Sequence, residues 1–218
     1  MTEQSVEWLQ RQLAERVITN LEKNWISGFY FSSAEKARTE ILEHIPQGAT
    51  VGLGDSLTLK QIGIIPMIEK GNYDLHNPWS KAKMEERVEM QRQILTSDVF
   101  VTGTNAITLN GELVNIDGRG NRVAAMIFGP KKVLVVVGAN KIVRNVDAAF
   151  ERIKSIAGPL NSKQHDFPKE RRPPCAVSGF CNDCKPPVTI CCAQVVIRGQ
   201  RQDRDRMKVF IIGSELGF

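Results

Sequence analysis

The sequence has few aromatic rings, few histidines and no long apolar run. Aromatic residues make up 6% of the 218, and basic residues are not interleaved with them, which argues against a nucleic-acid-binding surface despite a net charge of +5. No apolar run approaches the length of a membrane-spanning helix, and the opening MTEQSVEWLQRQ lacks the apolar centre of an export signal. The expectation is a cytoplasmic chain with no membrane segment. The three histidines, His44, His76 and His165, leave no Ser-His-Asp or Cys-His constellation to assemble. His44 at a helix end and His165 in a linker read as surface residues. There is no Walker loop and no G-x-G-x-x-G. Cysteine is missing from the chain before Cys175, and all five fall between Cys175 and Cys192. In a cytoplasmic chain that concentration points to metal or redox chemistry rather than a disulfide framework.

What is present is the composition of one globular α/β domain spanning 1–218, with 42% hydrophobic and 24% charged residues. Val6, Leu9, Leu13, Val17, Leu21 and Trp25 form a helical stripe. Phe29-Tyr30-Phe31 follows as a strand, and Ser32 with Glu35 has the form of a capping box for the next helix. Thr50–Leu53 is a strand, and another helix runs from Ser56. Alternation of this kind predicts a mainly parallel sheet covered by helices. Lys81 to Leu95 is a charged helix with Met84, Val88 and Leu95 inward, and Lys131 to Gly138, apolar on both faces, is a central strand. A helix over 145–157 stops at Gly158-Pro159. Six of the ten prolines lie from Pro159 onward, so 159–206 is expected to be a loop-rich appendage inserted before a last strand at 207–213.

Two stretches carry candidate chemistry. Gly52, Gly54, Asp55, Ser56 and Thr58 lie between a strand and a helix, where backbone N–H groups suit an anion; the alternative is that Ser56 or Asp55 only caps the helix. The second runs from Asp98 to Arg122. Its strand Val99–Val101 gives way to Thr102-Gly103-Thr104-Asn105, and a hairpin follows whose Asn110-Gly111 predicts a type I′ turn. Asp117-Gly118-Arg119-Gly120-Asn121-Arg122 then opens a helix. Thr104, Asn105, Asn115 and Asn121 are candidate ligand contacts, and Asp117 and Arg122 are candidate catalytic groups, all near strand ends. The ligand class this suggests is small and anionic or phosphate-bearing.

VGLGDSLTLKQIG, DVFVTGTNAITLNGELVNIDGRGNRVAAMIFGPKKVLVVVGANKIV and the terminal VFIIGSELGF resemble the LUD (lactate-utilisation) domain family, from about residue 5 to the end. The resemblance implies the fold of the ribose-5-phosphate isomerase, glucosamine-6-phosphate deaminase and CoA-transferase group. It also implies a glycine loop, here Gly52 to Thr58, that holds phosphate or CoA. Those relatives place a catalytic carboxylate near Thr102–Asn105, where this chain has Asn105, an amide that cannot act as a general base. Asp117 is the nearby carboxylate that would have to substitute. The family is associated with iron–sulfur-dependent, multi-protein oxidation of lactate to pyruvate, which implies a redox protein partner and admits a homo-oligomer.

Cys175, Cys181, Cys184 and Cys191 are spaced C-x5-C-x2-C-x6-C, the thiolate complement of a cubane iron–sulfur cluster (4Fe-4S) or of zinc. The spacing is neither that of a zinc ribbon nor that of a bacterial ferredoxin, and both metals stay open. Cys192 is left out, because adjacent residues rarely both reach one centre.

Overall fold

The computed structural model describes residues 3–201 and 203–218. The first half of the chain runs α1 (Glu3–Lys23), β1 (Ser27–Phe31), α2 (Ala34–Glu43), β2 (Thr50–Leu53), α3 (Leu57–Gln61), α4 (Ile64–Lys70), β3 (Asp74–His76), α5 (Met84–Ile94) and β4 (Val99–Gly103). The second half adds β5 (Ala106–Thr108), β6 (Leu113–Asp117), α6 (Asn121–Ile127), β7 (Lys132–Gly138), β8 (Ile142–Val143) and α7 (Val146–Arg152). It closes with α8 (Gly158–Gln164), α9 (Cys175–Ser178), β9 (Ala193–Ile197) and β10 (Met207–Ile212). The main sheet is six-stranded and parallel in the order β1-β10-β7-β4-β2-β3.

The continuous apolar runs of β4, β7 and β10 put these strands inside the sheet, because alternate residues have to satisfy opposite faces. Val133, Val135 and Val137 of β7 pack towards Ala14, Val17 and Leu21 of α1 and Met126 of α6. Leu134 and Val136 join the other cluster, with Ile41 of α2, Leu59 of α3 and Ile64 of α4. β10 enters between β1 and β7, so the last strand returns to the sheet as expected. No helix of the described residues is long and apolar enough to cross a membrane.

Several local expectations change. Val6 and Leu9 of α1 are exposed, and Trp25 lies beyond the helix at φ 60, so only the C-terminal half of the stripe is core. The cap of α2 is Ser33, whose side chain accepts from Lys36 N, one residue later than the expected box. On α5, Gln91 and Ile94 face inward while Met84 is exposed. His44 is half-buried against Phe29 and Phe210, and burial and then nearby Lys208 lower its pKa. The β5–β6 hairpin is not type I′. Gly111 has φ 80, but Asn110 is not among the positive-φ residues, and Thr108 N bonds Glu112 O at 3.0 Å across a three-residue loop.

Gly158-Pro159 does not end the α7 segment. A π-helical turn over Ile153–Ala157 leads into α8, with Pro159 in its first turn, where a missing N–H costs nothing. The appendage also holds a strand that the sequence did not suggest. β9 pairs antiparallel with β6 in a second sheet, β8-β5-β6-β9, which packs on α7 through Ala106, Val114, Ala149 and Ile153.

Candidate functional site

Parallel strands bring their carboxyl ends to one edge, and the polar groups gather there. β4 delivers Thr104 and Asn105, the segment after β2 delivers Asp55 and Ser56, and the 3-10 turn after β7 delivers Lys141. With Asp117, Asn121 and Arg122 they line an open cleft of about 1300 Å³, part of it shared with solvent, to which Trp79, Phe167 and Phe218 also contribute.

One wall is organised by Arg122. Its guanidinium donates to Gly103 O at 3.0 Å and to Asn105 Oδ1 at 2.9 Å, and also to Asn115 Oδ1 and Asp117 Oδ1. The second Asp117 oxygen accepts from Val123 N at 3.1 Å, in the first turn of α6. That carboxylate answers both the guanidinium and the unsatisfied helix N–H, which is how a cation comes to sit at the start of a helix. Asn105 Oδ1 also takes Ile116 N at 3.0 Å, and Asn115 Oδ1 lies 3.1 Å from the Thr104 hydroxyl. Charge-assisted bonds of this kind fix the wall before any ligand arrives. Asn115 itself is 0% exposed, and its amide nitrogen has no hydrogen-bond partner among the described residues.

The floor is different. Lys141 is only 5% exposed, and its ammonium donates to Thr58 Oγ1 at 3.1 Å and Thr104 O at 3.4 Å. Arg152, also buried but not part of the cleft lining, donates to Asn105 O at 3.0 Å and Asn140 O at 3.3 Å. Among the described residues neither forms an ion pair with a carboxylate, whereas Arg122 is paired with Asp117. Burial, then Arg152, then Arg122 push the Lys141 pKa down to about 7.

Of the expected ligand residues, Asp55, Ser56, Thr104, Asn105, Asn121, Asp117 and Arg122 share this cleft. Gly52, Gly54, Thr58 and Asn115 do not line it. A Cβ on Gly54 would stand 2.4 Å from Thr102 Oγ1, and one on Gly52 would stand 2.7 Å from Ile94, so both glycines serve close packing. Ser56 caps α3, its side chain accepting from Leu59 N. Lys141 and Arg152 were not anticipated. The available signal was position: Gly138-Ala139-Asn140-Lys141 follows the most apolar strand directly at its carboxyl end.

A second cavity adjoins the cleft, and Ile116 and Ile190 line both. Cys175, Cys181, Cys184 and Cys191 all border it, and Cys192 does not. Cys175 Sγ lies 3.3 Å from Ser162 Oγ, and Lys154 pairs with Asp183 at 2.6 Å on the same cavity. Burial, then the neighbouring cysteines, push the Cys191 thiol up to about 11. Among the described residues no three His, Cys, Asp or Glu side chains are drawn together tightly enough for a single metal ion.

The model of the LUD domain matches residues 14–212. Among curated proteins no sequence matches the chain. A crystal structure of a DUF162 family protein from Deinococcus radiodurans superposes with a TM-score of 0.54 at 13% identity, covering 94% of this chain and 98% of that one, a likeness of fold. Ribose 5-phosphate isomerase from Plasmodium falciparum gives a TM-score of 0.31 at 17% identity, over 51% of this chain and 52% of that one. The eIF2B delta structure from Chaetomium thermophilum gives 0.34 at 18% identity, over 66% and 55%.

Proposed function

The chain belongs to the LUD domain family, and from that premise we propose that it is a component of a redox system oxidising lactate or a related 2-hydroxy acid, with Cys175, Cys181, Cys184 and Cys191 holding an iron–sulfur cluster. One observation carries the reading: those four thiols line a single cavity that shares a wall, Ile116 and Ile190, with the cationic cleft. Four thiolates are the complement a cubane needs. Zinc, the alternative, would take the same four thiolates at about 2.3 Å each.

When bound, the cluster supplies one-electron transfer. Oxidation of a 2-hydroxy acid to a 2-oxo acid releases two electrons and two protons, so the electrons pass to a redox partner protein. The chain's own residues perform the binding. Arg122, braced by Asp117, walls the cleft, and Lys141 supplies positive charge for a carboxylate. Lys154 places a further cation on the cysteine cavity, where thiolate charge would accumulate.

A second reading is a non-catalytic ligand-binding or regulatory module with a phosphate- or CoA-type ligand and a structural zinc. It is favoured by the engagement of Asp117 and Arg122 with each other, which leaves neither free for acid–base work. Anaerobic purification separates the two. The redox reading expects a brown protein whose thiolate-to-iron absorption bleaches with dithionite and returns on reoxidation. Colourless protein that carries zinc would remove it.

A further inference from the structure

Lys141, which lines the cleft, has a charge that no carboxylate among the described residues answers. Lys141 and Arg152 are buried without carboxylate partners among the described residues, and Asp117 is already committed to Arg122. Asp55, whose side-chain carboxylate also lines the cleft, pairs with Lys60 at 2.8 Å. Lys141 is further confined by the C-terminal segment, since a Cβ on Gly217 would stand 2.7 Å from its Nζ. Its ammonium has three donors, and two acceptors, Thr58 Oγ1 and Thr104 O, are supplied.

We propose that the Lys141 ammonium receives an anionic oxygen, from a carboxylate or a phosphate, at the floor of the cleft, and that the anion binds together with a proton. The proposal rests on reading this cleft as the acid's site but needs nothing of the cysteine cavity. The charges acting on Lys141, those of Arg152 and Arg122, are both positive and favour its neutral form. An anion beside it reverses that balance. Above neutrality Lys141 is then largely neutral before binding and charged after it. At pH 6 it is charged in both states. Arg87, His165 and the terminal residue Phe218 also line the cleft.

Titration calorimetry in two buffers of different ionisation enthalpy reads proton uptake directly. Lactate and sulfate are the probes, because neither titrates between pH 6 and pH 8 and they represent the carboxylate and phosphate arms. Wild-type protein is expected to take up most of one proton per anion at pH 8 and almost none at pH 6. Lys141→Met should weaken binding at least about tenfold and abolish the uptake, whereas His165→Gln should leave the uptake at pH 8 intact. Absence of proton uptake by wild-type protein at pH 8 would overturn the proposal without recourse to any variant. Unchanged affinity in a folded Lys141→Met protein would do the same. Sulfate binding with uptake but no lactate binding would support the Lys141 assignment while removing the hydroxy-acid substrate. Lactate binding that ignores Lys141 would preserve the substrate and remove the assignment.

Discussion

The cleft and the cysteine cavity share Ile116 and Ile190 but are built on opposite plans. In the cleft wall the polar atoms answer one another: Arg122 donates to two side-chain amides, a carboxylate and the Gly103 carbonyl, and both Asp117 oxygens are occupied. In the cavity the thiols have little to hold them, with Cys175 near Ser162 and Cys181 Sγ 4.0 Å from Asp183. The residues around them are mostly loops and short turns between α8 and β9. The wall is therefore preorganised by hydrogen bonds within the protein, while few hydrogen bonds hold the cysteine side chains. Damage to the first should appear as lost global stability, and damage to the second as lost local order.

The largest effect is expected from Arg122→Met. It strands the Asp117 carboxylate, 7% exposed, and leaves the acceptor oxygens of Asn105 and Asn115 short of a donor, at a cost of about 3–5 kcal/mol. Urea unfolding measures it, and a loss below about 1 kcal/mol would mean that the wall is not the braced element described.

Gly54→Val should come next, costing about 1–3 kcal/mol, because the new side chain meets Thr102 and Phe100 in the interior. A variant that keeps its stability but loses binding of phosphate compounds would restore the phosphate-loop role to Gly54.

Lys141→Met should alter the pH dependence of stability by a smaller amount. The folded pKa is about 7, below the roughly 10.4 of an unfolded lysine, so between those values the unfolded chain holds the extra proton. Wild-type stability should therefore rise with pH across this window. The methionine variant should lack that slope and be the more stable protein at pH 6, by roughly 1–2 kcal/mol after losing the bonds to Thr58 and Thr104. Parallel stability–pH curves would contradict the burial of a titrating amine.

Cys184→Ser should have the smallest global effect, under about 1 kcal/mol in core unfolding, because the core clusters lie elsewhere. Limited proteolysis should nevertheless cut it between residues 165 and 200. Resistance equal to wild type would break the contrast between the two regions.

The main sheet was legible because β4, β7 and β10 are apolar on both faces and the helices between strands carry their own spacing. The cleft was partly legible. Asp117 and Arg122 stand at a strand end and a helix start, but their commitment to each other depends on Asn105 and Asn115 arriving from other strands. Gly52 and Gly54 misled for a physical reason: a glycine that admits a phosphate and one that admits Ile94 or Thr102 look the same in a sequence. Lys141 was hidden because its meaning comes from burial and from the charge of Arg152, both set by tertiary packing. β9 was hidden because its pairing partner, β6, lies about eighty residues earlier in the chain. Cys175, Cys181, Cys184 and Cys191 border one cavity and Cys192 does not, a grouping that sets the four apart without assigning them a metal.

The most direct test of the cluster assignment is the iron, acid-labile sulfide and zinc content of anaerobically purified protein, measured per chain. The account predicts about four irons and four sulfides in the wild type, with both lost in Cys184→Ser while the core stays folded. One zinc per chain without sulfide, or iron retained in full by Cys184→Ser, would contradict it.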